Sequence, residues 1–136
     1  MFLVYHPEGQ AEPTRWRYNP RRLMSVERED LERRTDRNFS TFTTDVLQGN
    51  SLCRRALLYV FLRRDHAKIR FEDVDFAWDE LTLEYSRQEL LQMREQVSST
   101  LHGAERAAAL ESLDKDIADA FDDTAEEGKA GLPIAG

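Results

Sequence analysis

The order of apolar and polar residues at the start of the chain predicts a β-hairpin. Phe2–His6 (FLVYH) is rich in strand-forming residues, and Arg15–Tyr18 (RWRY) alternates arginine with aromatic rings. The stretch between them, PEGQAEPT, contains two prolines and a glycine, which favours a long irregular loop. We expect Pro20 to end the second strand, because proline cannot donate to a sheet ladder.

Three helices are predicted next. One runs from a Ser25 cap to about Thr35, and another begins at Asn38 or Ser40 and stops at Gly49. The third spans Ser51 to about His66 and is by far the most apolar: from Leu52 to Leu62 only the two arginines at 54 and 55 are polar. An apolar surface around most of the circumference is typical of a central, buried helix.

The segment after the third predicted helix has no clear pattern until apolar and polar residues alternate again at Leu81. Ile69–Phe76 (IRFEDVDF) loses its alternation at Glu72 and Asp73, which leaves open a short strand followed by a turn, or an irregular linker. Leu81–Tyr85 (LTLEY) alternates cleanly, so we predict a strand that pairs with the N-terminal hairpin.

Two amphipathic helices are predicted after this strand. Ser86 and Glu89 form a capping box that opens the first, Gly103 closes it, and the second covers Ala104–Phe121. Their apolar residues have two interpretations, as packing between the helices or as a surface that holds an aliphatic segment of a partner. The candidate partner-binding residues are Leu90, Met93, Val97, Leu101, Leu110, Leu113, Ile117 and Phe121.

Together these elements predict an α+β fold that is mostly helical. A small antiparallel sheet, made of the hairpin and the later strand, packs on the central buried helix. We expect an α+β core domain over residues 1–85, a C-terminal helical extension over 86–121 and a flexible acidic tail over 122–136.

Charge is distributed unevenly along the 136 residues, whose net charge is −7. Met1–Arg70 contains 14 Lys and Arg against 9 Asp and Glu, whereas Phe71–Gly136 contains 5 against 17. This split is consistent with attraction between the halves, with two faces for different partners, or simply with a solvated surface. The acidic total makes nucleic acid an unlikely partner, since nucleic-acid-binding domains are normally basic.

The single cysteine, Cys53, excludes an intramolecular disulfide and favours a reducing compartment. Its position in the most apolar helix predicts a buried, inert thiol. The N-terminal apolar run is too short for a signal peptide, and no run approaches the length of a membrane span. We therefore expect a soluble, cytoplasmic protein.

No pattern for catalysis, cofactor or metal binding emerges. The three histidines are not at metal-ligand spacing, no glycine-rich phosphate loop is present, and the acidic run FEDVDFAWDE lacks the central glycine of a calcium loop. Arg15–Tyr18 has the composition of a single-strand nucleic-acid binder. Its alternation is explained without any ligand by a strand with Trp16 and Tyr18 towards the core, which is our prediction.

Three stretches carry a resemblance to a known family: FLVYHPEGQAEPTRWRY, then RRLMSVEREDLERRTDRNFSTFTTDVLQGNSLCRRALLYVFLRRDH, then IRFEDVDFAWDELTLEY. In this order they resemble the tail assembly chaperones of long-tailed (siphovirus-type) phages of actinobacteria. The resemblance covers roughly Met1–Tyr85, and VLQGNSLCRRALLYVFLRR followed by the acidic turn is its strongest part.

The resemblance implies a non-enzymatic role. Proteins of this family coat the long tape-measure protein, keep it soluble and assist polymerisation of the tail-tube protein, which implies action in the host cytoplasm and absence from the mature virion. Self-association is left open. The alternatives are a structural virion protein, such as a tail-completion or connector protein, and a small nucleic-acid-binding regulator. Genes of this family often contain a programmed frameshift site, and Gly128–Lys129 is one dipeptide that such a site can encode.

Overall fold

The computed structural model describes residues 1–121 and has an α+β, mostly helical fold, as predicted. The strands are β1 (Phe2–Tyr5), β2 (Thr14–Arg17) and β3 (Leu81–Glu84), and the helices are α1 (Ser25–Thr35), α2 (Phe39–Leu47), α3 (Ser51–Asp65), α4 (Arg87–Thr100) and α5 (Gly103–Asp119). Two compact units are present: one is Phe2–Leu83, and the other is Met1 with the described residues from Glu84 onward. The predicted tail and Gly128–Lys129 lie outside the described residues.

The three strands form one antiparallel sheet in the order β2-β1-β3. In the hairpin Leu3 pairs with Trp16 and Val4 with Arg15. On the other side of β1 the His6 N–H donates to the Glu80 carbonyl over 2.8 Å. The prediction that the later strand joins the hairpin is therefore confirmed. Residues 2–4 are all buried, and because consecutive side chains of a strand point to opposite faces, β1 is covered on both faces of the sheet.

Helix α3 is the buried centre of the Phe2–Leu83 unit, as its composition predicted. Its buried residues are Cys53, Ala56, Leu57, Leu58, Tyr59, Val60 and Phe61. Asn50 caps its first turn, because the Asn50 side chain accepts a hydrogen bond of 3.0 Å from the Cys53 N–H. Helices α1 and α2 pack on α3 and on each other. The Phe61 ring stacks on Trp16 of β2 with 5.6 Å between centroids, which joins the helix to the sheet.

Three predicted helix boundaries were wrong: the cap of α1, the end of α4, and the end of α5, which stops at Asp119 rather than at Phe121. The cap of α1 is Met24 rather than Ser25, because the Glu27 carboxylate accepts the Met24 N–H over 3.1 Å and closes the turn one residue earlier. Gly103 does not end α4: the helix stops at Thr100, where the Leu101 N–H donates to the Val97 carbonyl. Gly103 instead begins α5, with a φ of +62° that favours glycine.

The ambiguous segment after α3 contains no strand. Phe71–Asp73 forms a single 3₁₀ turn, so the linker interpretation is correct. The reason lies in α3, where the Arg55 guanidinium donates to the carbonyls of Val74 (2.6 Å) and Phe71 (2.9 Å). Two carbonyl oxygens that a sheet would use are thereby bound to a side chain.

Candidate partner-binding surface

The candidate partner-binding residues lie on a hairpin of two helices, α4 and α5. The predicted capping box opens α4: the Glu89 N–H donates to the Ser86 hydroxyl over 3.2 Å, and the Ser86 N–H donates to the Glu89 carboxylate over 2.9 Å. This fixes the first turn of α4 and with it the direction of the apolar stripe.

One polar contact joins the two helices near their middle, and another joins them at the end of the hairpin far from its turn. The Arg94 guanidinium lies 2.6 Å from the Asp114 carboxylate, and the Arg87 guanidinium donates to the Ala120 carbonyl over 3.1 Å. The Arg94–Asp114 pair is about half exposed, so it contributes no more than about 1 kcal/mol. Most of the association of α4 with α5 therefore depends on the apolar residues between them.

Those apolar residues are covered unevenly. Leu90 is buried, whereas Met93, Val97, Leu101, Leu110, Leu113, Ile117 and Phe121 are all half-buried. Helix α5 contains no buried residue at all. The stripe thus packs between the two helices and also remains partly accessible, so the two interpretations of its spacing are compatible.

Four of the predicted residues meet in one open groove of about 500 Å³. They are Met93, Val97, Leu101 and Leu113. The groove does not include Leu90, Leu110, Ile117 or Phe121. Small and polar residues complete it: Gln96, Thr100, Ala109 and Ser112. The sequence pattern missed these four because a search for apolar periodicity passes over alanine and uncharged polar residues.

The groove has no charged residue in its lining, yet the hairpin around it is acidic. Residues 84–121 contain eight Asp and Glu against four Arg and Lys, a net charge of −4. An uncharged trough within a negative surface suits an apolar ridge flanked by basic residues, and disfavours an acidic one.

The other candidate chemistry is occupied by structural contacts. In the acidic run, Asp73 pairs with Arg70, and the Glu80 carboxylate accepts the N–H groups of Glu8 and Ala77. Cys53 is fully buried, and burial raises the pKa of its thiol, which confirms the predicted buried position. Across residues 1–121 no group of three His, Cys, Asp or Glu side chains could hold a metal ion.

The basic and aromatic strand is accounted for by packing. Trp16 lies against Phe61, Tyr18 is buried, and Arg15 and Arg17 are exposed, as the alternation predicted. The Arg17 guanidinium lies 5.3 Å from the centre of the Phe2 ring, so part of its surface is already used within the sheet.

Comparisons with known proteins leave the family undetermined. The chain matches no protein-family model, no curated protein and no solved structure. Within the part of the chain that the structure describes, none of the helices has the length and apolar character needed to cross a bilayer.

Proposed function

We propose that this protein is a phage tail assembly chaperone that binds the tape-measure protein through the α4–α5 groove. The observation that carries the proposal is the uncharged groove of Met93, Val97, Leu101 and Leu113 within an acidic hairpin. The resemblance of residues 1–85 to that family supports the same assignment. No catalytic step is included, because the proposed role requires only reversible binding.

Such a chaperone has to cover apolar stripes on a long partner, and the α4–α5 hairpin has a surface suited to this task. A tape-measure protein is a very long helical chain whose apolar stripes would aggregate if they stayed exposed. A groove between two helices receives the apolar ridge of a third, in the manner of other helix-in-groove complexes. The net charge of −7 on each bound copy adds repulsion between coated chains and keeps them soluble.

The binding at each site should be weak. The groove is open and its apolar side chains are already half-buried between α4 and α5, so one copy buries little additional area. Many copies along one partner supply the overall stability through multivalency. The tail-tube protein can then displace them one at a time as it polymerises, which would leave the chaperone in the host cytoplasm and out of the virion.

Co-expression with the tape-measure protein tests this proposal, and two neighbouring alanines supply a matched pair of variants. Ala109 lines the groove, whereas Ala108 is exposed outside it. We expect the unmodified chain and Ala108→Glu to keep the partner soluble and bound. Ala109→Glu puts a carboxylate into the apolar trough and should weaken binding about tenfold or more.

Three outcomes would contradict the proposal. The partner could stay insoluble with the unmodified chain, or both glutamate variants could bind equally well. The protein could also be found in purified virions by immunoblotting, which would assign it to the structural proteins.

A further inference from the structure

Exposed apolar side chains are also present on the Phe2–Leu83 unit. The largest of them is Trp78, whose side chain is 55% exposed. Leu47 and Leu52, on either side of the turn between α2 and α3, are 53% and 38% exposed. We call these three residues the Trp78 surface. Tryptophan is the residue most often found as an energetic anchor in protein interfaces, so its exposure requires an explanation.

The Trp78 ring is held in position by α2, α3 and the turn between them. A methyl group added at Gly49 would lie 3.4 Å from Cη2 of Trp78, so the ring rests on the bare backbone of that turn, where φ is +90°. The Arg54 guanidinium lies 5.1 Å from the ring centre and is itself fixed by a 2.9 Å hydrogen bond to the Val46 carbonyl. Binding would therefore cost little side-chain entropy.

The loop that carries Trp78 is fixed as well. Arg55 binds two of its carbonyls, Val74 is buried, and the Glu80 carboxylate accepts the Ala77 N–H over 2.6 Å. A loop with this many anchors has no need of an exposed tryptophan for its own stability. The exposed ring is thus a fixed feature of the surface.

The charge around the ring indicates what it would bind. Residues 71–80 contain five carboxylates and no Lys, Arg or His. Asp73 pairs with Arg70, and Glu80 accepts the Ala77 N–H. Glu72, Asp75 and Asp79 are exposed, and Asp75 accepts only the N–H of the next residue, Phe76, over 2.9 Å. An apolar surface with a negative rim is complementary to an apolar side chain flanked by lysine or arginine.

We infer that the Trp78 surface docks a lysine- or arginine-rich amphipathic segment of another protein. In such a complex the apolar side chains of that segment cover Trp78, Leu47 and Leu52. Its cations meet Asp75 and Asp79. This surface does not depend on the α4–α5 groove, so it can be tested separately from the proposed function.

A synthetic amphipathic leucine–lysine peptide is the probe, with the same peptide carrying glutamate for lysine as its control. The chain has two tryptophans, and Trp16→Phe leaves Trp78 as the only one. We expect the lysine peptide to shift Trp78 emission to shorter wavelength and the glutamate peptide to leave it unchanged. In the unmodified chain the amide signal of Gly49 should move with the same titration, which covers the case in which Trp16→Phe perturbs the fold.

Two matched pairs of variants, each titrated with the lysine peptide and followed by the Gly49 amide signal, separate local from general effects. Trp78→Ala should weaken binding about tenfold, whereas Leu91→Ala, at another exposed apolar residue, should not change it. Asp79→Asn should weaken binding several-fold at low salt, while Glu29→Gln, which removes one exposed charge from α1, should have little effect.

The inference is overturned if the lysine peptide moves neither the emission nor the Gly49 signal, or if Leu91→Ala and Glu29→Gln weaken binding as much as their counterparts. It is also overturned if emission shifts with protein concentration alone and sedimentation shows dimers, because the surface would then bind a second copy of this chain.

Discussion

At the scale of single residues, arginine side chains hold much of the Phe2–Leu83 unit together. The Arg34 guanidinium lies 4.5 Å from the centre of the Tyr59 ring and 4.9 Å from that of Phe71. The Arg55 guanidinium, besides its two hydrogen bonds, lies 4.1 Å from the centre of the same Phe71 ring. Guanidinium groups are weakly hydrated and planar, so they stack on aromatic rings more readily than lysine does. Many basic residues of the N-terminal half thus have partners inside the protein.

The Glu27–Arg64 pair makes stability depend on pH. The Arg64 guanidinium donates to both Glu27 oxygens over 2.8 Å, and this hydrogen bonding holds the pKa of Glu27 below its usual value of 4.5. A lowered pKa in the folded state means that the pair stabilises the fold above pH 4.5. The contribution is lost as the pH falls through the lowered pKa.

Urea unfolding at pH 7 and pH 3 measures this effect in Glu27→Gln. The Arg64 side chain is 42% exposed, so we expect a loss of only about 0.5–1 kcal/mol at pH 7 and a smaller loss at pH 3. Glu29→Gln, on the exposed side of α1, should change stability little at either pH. An equal loss at both pH values in Glu27→Gln would contradict the assigned role of the pair.

At the scale of elements, α3 and the α4–α5 hairpin use their apolar residues differently. Helix α3 contributes seven buried residues to the core of its unit, whereas α4 contributes only Leu90 and α5 none. Helices of this length are marginal without packing, so α3 depends on long-range contacts and the hairpin on contacts between its own two helices. This difference leaves the hairpin with apolar area to share with a partner.

One substitution at two positions of α3 tests the importance of burial. Leu58→Ala removes a fully buried side chain and should cost about 2–5 kcal/mol in the free energy of unfolding. Leu52→Ala, in the same helix but 38% exposed, should cost less than about 1 kcal/mol. Urea denaturation followed by circular dichroism measures both, and similar losses would show that α3 is not the centre of the core.

At the scale of the whole molecule, the negative charge belongs to one unit. Phe2–Leu83 contains 14 Arg and Lys and 14 Asp and Glu, so it is neutral. The entire net charge of −7 therefore lies outside that unit. When the sequence is divided at Arg70, the acidic loop of residues 71–80 falls in the same half as the C-terminal helices. In the fold, however, that loop belongs to the neutral unit. Residues 84–121 account for −4 of this charge, which favours basic partners for the hairpin and disfavours nucleic acid.

The two units should also differ in local stability. Amide hydrogen exchange in the full chain should be slowest in α3, and at least about tenfold faster in α5, which has no buried residue. The amides of α4 should lie between them, because Leu90 is buried and the capping box holds its first turn. Uniform protection across α3 and α5 would show that the units open together.

Adding the proposed partner should slow exchange in the hairpin selectively. If the tape-measure protein occupies the groove, the amides around Val97 and Ala109 gain protection while those of α3 do not change. Protection gained around Gly49 instead would assign the partner to the Trp78 surface.

The sequence by itself determined the class of fold, the sheet of hairpin and later strand, the buried α3 and the capping box at Ser86. Each of these features depends on the spacing of apolar residues, on composition, or on a contact between residues three positions apart, and all of these can be read from the sequence. Only the tertiary structure decided that Arg55 binds the carbonyls of residues 71 and 74, that Ala109 lines the groove and that Trp78 is exposed over Gly49. These features depend on contacts between residues that are far apart in the sequence. Such contacts are determined by packing in the folded protein, so no local sequence pattern predicts them.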